Sequence, residues 1–131
     1  MSVPPQHRDD SSITERVRSL LRSHLAGRMP SLEEVAAEFT MTARTLRRRL
    51  KMDGATYTGI KTDLRRNAGI ELLAKPELNL QVIAERVGLA EASAFYEAFK
   101  SWTGVTPGDY RRSLLVRAHT AESRDSAAGV G

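Results

Sequence analysis

Four cations, Arg44, Arg47, Arg48 and Lys51, stand at i, i+3, i+4 and i+7. On a helix that spacing gathers them into one stripe, with Leu46 and Leu50 on the other side. A helix fits the major groove of duplex DNA, where an arginine fork can bond guanine O6 and N7 together. Arg49 makes a fifth cation, and no acid interrupts positions 42–51. The alternative is a solvated charged face. Such faces usually mix signs, and five like charges repel one another without an anionic partner.

No other chemistry has its residues in place. His7, His24 and His119 are far apart and lack ligand-like spacing. Ser11 and Ser12 read as linker and cap, and no serine stands in a Gly-x-Ser-x-Gly elbow. Gly54, Gly59 and Gly69 show no phosphate-loop pattern. Trp102 follows Phe99 by three residues and reads as core rather than as a base-stacking residue, and Tyr57 and Tyr110 read as core or boundary residues. No catalytic constellation, metal site or cofactor is expected. The chain has no cysteine, which excludes disulfides and thiolate metal sites. It lacks the run of about 18 apolar residues that a membrane span needs, and its polar start is not a signal peptide. The cytoplasm is the default location. The formal charge is only +4, from 20 Lys and Arg against 16 Asp and Glu, so the basic stripe is a local feature that the total conceals.

The elements that must carry the stripe are all helical. Residues 1–11 and 118–131 read as disordered. Ser12 to Glu15 is a capping box opening a helix with Ile13, Val17, Leu20, Leu21 and Leu25 inward and Gly27 as its stop. A second box, Ser31 to Glu34, opens a short helix with Leu32, Val35, Ala36 and Phe39 inside. Thr42 caps the basic helix and Gly54 breaks it. Tyr57 to Lys75 is helix-compatible over 19 residues, ended by Pro76, with Tyr57, Ile60, Leu64, Ala68, Leu72 and Leu73 inward. At about 1.5 Å per residue it spans about 28 Å. Asn79 caps a helix bearing Leu80, Val82, Ile83 and Val87, and Gly88-Leu89 makes a turn. Phe95 and Phe99 pair in the next helix. Thr106, Pro107 and Asp109 open the last one, which carries Tyr110 and Leu114. The spacing predicts an all-α chain of about seven helices.

The chain repeats itself. Ser31 to Ala36 matches Asn79 to Ala84, Phe39 matches Val87, and Met41 matches Leu89, all 48 positions apart. Leu46 and Leu50 match Phe95 and Phe99 at 49, so the second copy has one extra residue in its turn. A capped short helix, an apolar residue in a tight turn and a helix with an i, i+4 apolar pair make a helix-turn-helix. Two unrelated hairpins in a helical bundle are the plainer alternative.

Over residues 15–112 the sequence resembles the DNA-binding domain of the AraC/XylS family of bacterial transcription regulators. Thr42-Ala43-Arg44-Thr45-Leu46-Arg47-Arg48-Arg49-Leu50-Lys51 is similar to the family's first recognition helix. Leu64-Arg65-Arg66 with Leu72-Leu73 resembles its connecting helix. Ile83 to Leu89, Ser93 to Pro107 and Tyr110-Arg111 resemble its second unit. The resemblance implies two helix-turn-helix subdomains joined by one rigid helix. Their recognition helices would enter successive major-groove segments, about 34 Å apart. By position it implies base contacts from Arg44, Arg47 and Arg48 in the first unit, and from Ala92, Ser93, Tyr96 and Glu97 in the second. Lys51 and Lys100 join them as DNA-binding cations.

The second set departs from the family pattern. Glu97 stands where arginine is common, and Ala90 where a capping residue is. Residues 91–102 carry two acids against Lys100. The second unit therefore binds weakly, reads different bases or serves mainly as packing. Glu97 either accepts from cytosine N4 or is solvated.

The expected domain organisation is a DNA-binding domain over 12–117, divided into a first helix-turn-helix (12–55), a connecting helix (56–76) and a second helix-turn-helix (77–117). The expected partners are double-stranded DNA and RNA polymerase. No heptad or spare apolar stripe is available for pairing, so the isolated chain is expected to be a monomer. Most members of the family carry an N-terminal effector or dimerisation domain, and none is visible here. The chain is thus a piece of a longer regulator or a short stand-alone member. An RNA-binding helical protein and a protein-interaction bundle whose arginine face takes an acidic partner are the alternatives.

Overall fold

The structure is a computed structural model that describes residues 13–117. Ser12, His7, His119 and the two terminal segments expected to be disordered lie outside the described residues. Among those described there are seven helices and no strand. They are α1 (Ile13–Arg22), α2 (Leu32–Glu38), α3 (Ala43–Met52), α4 (Tyr57–Leu73), α5 (Leu80–Arg86), α6 (Ala92–Thr103) and α7, helical from 107 to 117.

Local chemistry starts most of them. Ser31 Oγ accepts from the Glu34 amide at 3.1 Å while Glu34 accepts from the Ser31 amide at 2.8 Å, completing the capping box. The Ser31 amide, and then the guanidinium of Arg28, hold the Glu34 carboxyl below its ordinary range. Asn79 Oδ1 accepts from the Val82 amide at 2.9 Å and Thr106 Oγ1 from the Asp109 amide at 3.0 Å.

Three helices end in the same way. After α2, the Thr40 amide donates to Ala37 and the Met41 amide to Ala36. After α3, Gly54 and Ala55 donate to Lys51 and Leu50, and after α5, Gly88 and Leu89 donate to Glu85 and Ala84. Each is a Schellman end, which requires a left-handed residue one past the cap. Thr40, Gly54 and Gly88 fill that position with φ of +53°, +78° and +85°.

Two helix ends differ from expectation. The apolar stripe of α1 extends to Leu25, but the helix stops at Arg22 and the amides of Ser23, His24 and Leu25 turn to carbonyls three residues back. Ser23 Oγ also donates to the Leu20 carbonyl at 2.7 Å, competing with the helical ladder. Leu25 still packs against the first core. Helix α4 ends at Leu73 rather than Lys75. Arg111, reaching back from α7, donates to the carbonyls of Leu73 and Lys75 at 3.0 Å each and satisfies the groups the helix leaves open.

Two apolar cores form, and α4 feeds both. The first gathers Val17 and Leu21 of α1, Val35 and Ala36 of α2, Leu46 and Leu50 of α3, and Ile60 and Leu64 of α4. The second gathers Leu73 of α4, Ile83 and Ala84 of α5, Val87, and Phe95 and Phe99 of α6. Trp102 and Tyr110 pack against it, Tyr110 edge-on to Phe99 at 5.6 Å between ring centres. Gly69 admits the Phe95 ring: a Cβ there would stand 3.0 Å from Cε1. The Tyr57 hydroxyl donates to the Pro30 carbonyl and ties the start of α4 to the first unit.

Candidate nucleic-acid interface

Helix α3 is capped by its own neighbour, Thr42, whose Oγ1 accepts from the Thr45 amide at 3.1 Å. Leu46 and Leu50 are buried, which turns the opposite side outward. Arg44, Arg47, Arg48 and Lys51 are exposed on that side, and Arg49 is exposed beside them. Among the described residues none of the five makes an ion pair or a side-chain hydrogen bond. The exposed pairs that form, Arg18–Glu15, Arg28–Glu34, Arg66–Asp63 and Arg112–Asp109, all lie elsewhere. Breaking an existing surface ion pair would cost up to about 1 kcal/mol; these five have none to break.

Helix α6 repeats the geometry with different residues. Phe95 and Phe99 are buried, and Ser93, Tyr96, Glu97 and Lys100 are exposed on the far side. Ala92 is half-buried. The caps, Thr42 and Glu91, are 49 positions apart. Arg44 therefore corresponds to Ser93, Arg47 to Tyr96, Arg48 to Glu97 and Lys51 to Lys100. Ala90 is the extra residue of the second turn. The sequence-predicted site residues thus form two separate sets, one on α3 and one on α6.

Sequence reasoning missed what starts α6. Glu91 makes no side-chain cap bond. Gln81 of α5 does the work from across the turn: its Oε1 accepts from the Ala92 amide at 3.0 Å and its Nε2 donates to the Ala90 carbonyl at 3.0 Å. The available signal was the absence of a capping side chain before Ala92. A hollow of about 560 Å³ beside α3 is lined by Leu32, Leu50, Ala55 and Tyr57 together with Arg47 and Lys51. No group of three or more metal-ligating side chains occurs among the described residues. None of the described helices is long and apolar enough to cross a membrane.

Comparison with known proteins places this arrangement. The profile of a family described as "Helix-turn-helix domain" matches residues 35–113, well over half of the chain. The chain belongs to the AraC-type helix-turn-helix family of DNA-binding transcription regulators. The ornithine utilization regulator of Pseudomonas aeruginosa is 39% identical over 98 residues, covering 75% of this chain and 29% of that protein. The chain thus spans about three-tenths of the length of the curated relatives it matches. Among solved structures, the C-terminal domain of AraT, a response regulator from Geobacillus stearothermophilus, superposes with a TM-score of 0.70. It is 34% identical, covering 78% of this chain and 85% of that one. The DNA-binding domain of the global transcriptional factor AdpA, solved with a target DNA, shares the fold. Its TM-score is 0.68 at 24% identity, covering 79% of this chain and 93% of that one. The AraC-type family is a class of regulators rather than enzymes.

Proposed function

We propose that this AraC-type chain binds a specific duplex DNA sequence by laying α3 and α6 into successive major-groove segments. The observation that carries the reading is the exposed, unpaired cationic stripe of α3. Arg44, Arg47 and Arg48 read bases in the first segment, and Lys51 adds charge. Ala92, Ser93, Tyr96 and Glu97 face the second segment, with Lys100 as their cation. Helix α4, with 17 residues, spans about 25 Å, most of the about 34 Å between neighbouring groove segments. The binding unit is 12–117, divided as 12–55, 56–76 and 77–117. It acts in the cytoplasm without catalysis, with RNA polymerase as a second partner; the isolated chain is a monomer, and dimerisation, where it occurs, belongs to a longer parent protein.

Selection of bound sequences from a random duplex library tests this. One preferred sequence with two half-sites about 10 bp apart is expected. Arg44→Ala and Arg48→Ala should each weaken binding to it by about 1–3 kcal/mol and relax preference at particular base pairs. Equal weakening on every sequence would make those arginines phosphate contacts and overturn their assignment.

A further inference from the structure

The left-handed turn position is filled differently in the two units, and the difference is informative. In the first unit Thr40 holds it, exposed, with a β-branched side chain in a region that disfavours one. That turn tolerates a side chain because the space above it is open solvent. In the second unit Gly88 holds it, and the space is occupied. A Cβ on Gly88 would stand 2.6 Å from the carbonyl oxygen of Leu25 and 3.6 Å from that of Gly27, with Arg65 Nη2 at 3.7 Å. Leu25 and Gly27 belong to the loop after α1, in the first unit. Arg65 comes from the middle of α4. Three separate parts of the chain thus converge on one point, which is the turn of one helix-turn-helix against the loop of the other. Arg65 Nε is buried with no hydrogen-bond partner.

We infer that Gly88 is a positioning residue for DNA recognition. Its missing side chain lets the second unit close onto the loop after α1, and this contact fixes the distance and rotational phase of α6 relative to α3. A connecting helix alone can bend; a second point of contact away from its axis resists that bending. A methyl group at position 88 cannot be accommodated by a side-chain adjustment, because what it meets is backbone. The junction must open by most of an ångström. The two recognition helices would then no longer match the spacing of the half-sites. The inference rests on the duplex-binding reading, and its primary test does not involve DNA.

Gly104 supplies the control. It lies in the same unit, has the same φ of +85°, and a Cβ there would meet nothing within 4 Å. Gly88→Ala and Gly104→Ala therefore place a Cβ at the same positive φ, in one case against backbone and in the other in open space. The chain has no cysteine, so Met52→Cys with Val105→Cys, at two exposed positions, gives one spin-label pair across the units. Pulsed dipolar spectroscopy of the free protein reads the distance. Gly88→Ala should shift or broaden the distribution while Gly104→Ala leaves it as in the parent. On the selected operator, Gly88→Ala should lose affinity by about tenfold, comparable to losing a base contact. Part of that loss should return when the half-site spacing is changed by one base pair. An unchanged distance distribution in Gly88→Ala overturns the inference. Failure of the parent protein to bind any duplex overturns the duplex-binding reading instead, and the distances still decide the junction. Should Gly88→Ala not fold, Gly88→Asn, which tolerates the left-handed region better but keeps the Cβ, takes its place, with Gly104→Asn as its control. A distribution as narrow as the parent's would then overturn the inference.

Discussion

Glu97→Arg tests whether α6 docks as α3 does. Glu97 stands six residues past its cap, as Arg48 does in α3, and both are exposed. If the two helices enter their groove segments alike, Glu97 brings a negative charge toward phosphates. Each phosphate neutralised contributes about 0.9 to the slope of log affinity against log salt, or about three- to fourfold between about 50 and 200 mM. Exchanging glutamate for arginine changes the charge by two. The slope should steepen by about one to two such contacts, and affinity at low salt should rise by up to about tenfold on scrambled duplex. If Glu97 also accepts from a cytosine amino group, discrimination at one base pair should fall at the same time. The assay is a salt titration of both proteins on selected and scrambled DNA. Unchanged slope and affinity would place Glu97 away from the groove, and the docking carried over from α3 to α6 would fail.

Two further predictions concern what holds the recognition helices. Thr40→Gly should stabilise the protein by about 0.5–1 kcal/mol, because it removes a β-branched residue from the left-handed region, a relief partly offset by glycine's larger unfolded-state entropy. Thermal unfolding should show a Tm raised by about 3–5 °C; a lowered Tm would mean that the 2.6 Å bond from the Thr40 hydroxyl to the Phe39 carbonyl outweighs the strain. Gln81→Ala should destabilise by about 1 kcal/mol, the usual worth of an N-cap, and should weaken DNA binding through α6 while leaving the contribution of α3 intact. Stability and affinity both equal to the parent's would show that water serves the Ala92 amide equally well.

What could be read from the sequence is what is local. The caps at Ser31, Thr42, Asn79 and Thr106 each reach an amide three residues away, and all four form. The apolar pairs Leu46–Leu50 and Phe95–Phe99 are one helical turn apart and both are buried. With them came the all-α class, the repeat and the outward face of α3. What stayed hidden depends on chain segments far apart. Gln81 serves an amide 11 positions on, and Arg111 caps a carbonyl 38 positions back. Gly69 exists for the ring of Phe95. Gly88 was legible as a turn residue, since its φ demands as much, but its approach to Leu25 is a relation between units that no periodicity encodes.

The two units are therefore alike in backbone and unlike in how they are made to work. The first is self-sufficient: its recognition helix is capped by its own Thr42, its turn faces solvent, and residues 42–51 carry five cations. The second is held from outside its own recognition helix. Its recognition helix is started by Gln81 of the preceding helix, its turn abuts the first unit, and residues 91–102 carry a net negative charge. A unit with little charge attraction of its own gains from a rigid attachment. In the proposed docking, α6 would meet its groove segment, once α3 is bound, as an intramolecular partner whose effective concentration is set by the geometry of the linkage. Rigidity raises that concentration at one spacing and removes it at others. In the proposed docking, the charge of α3 would govern how tightly the protein holds DNA. The junction inferred at Gly88 would then set which arrangements of half-sites α6 can join, so that even a weak second unit would add sequence discrimination.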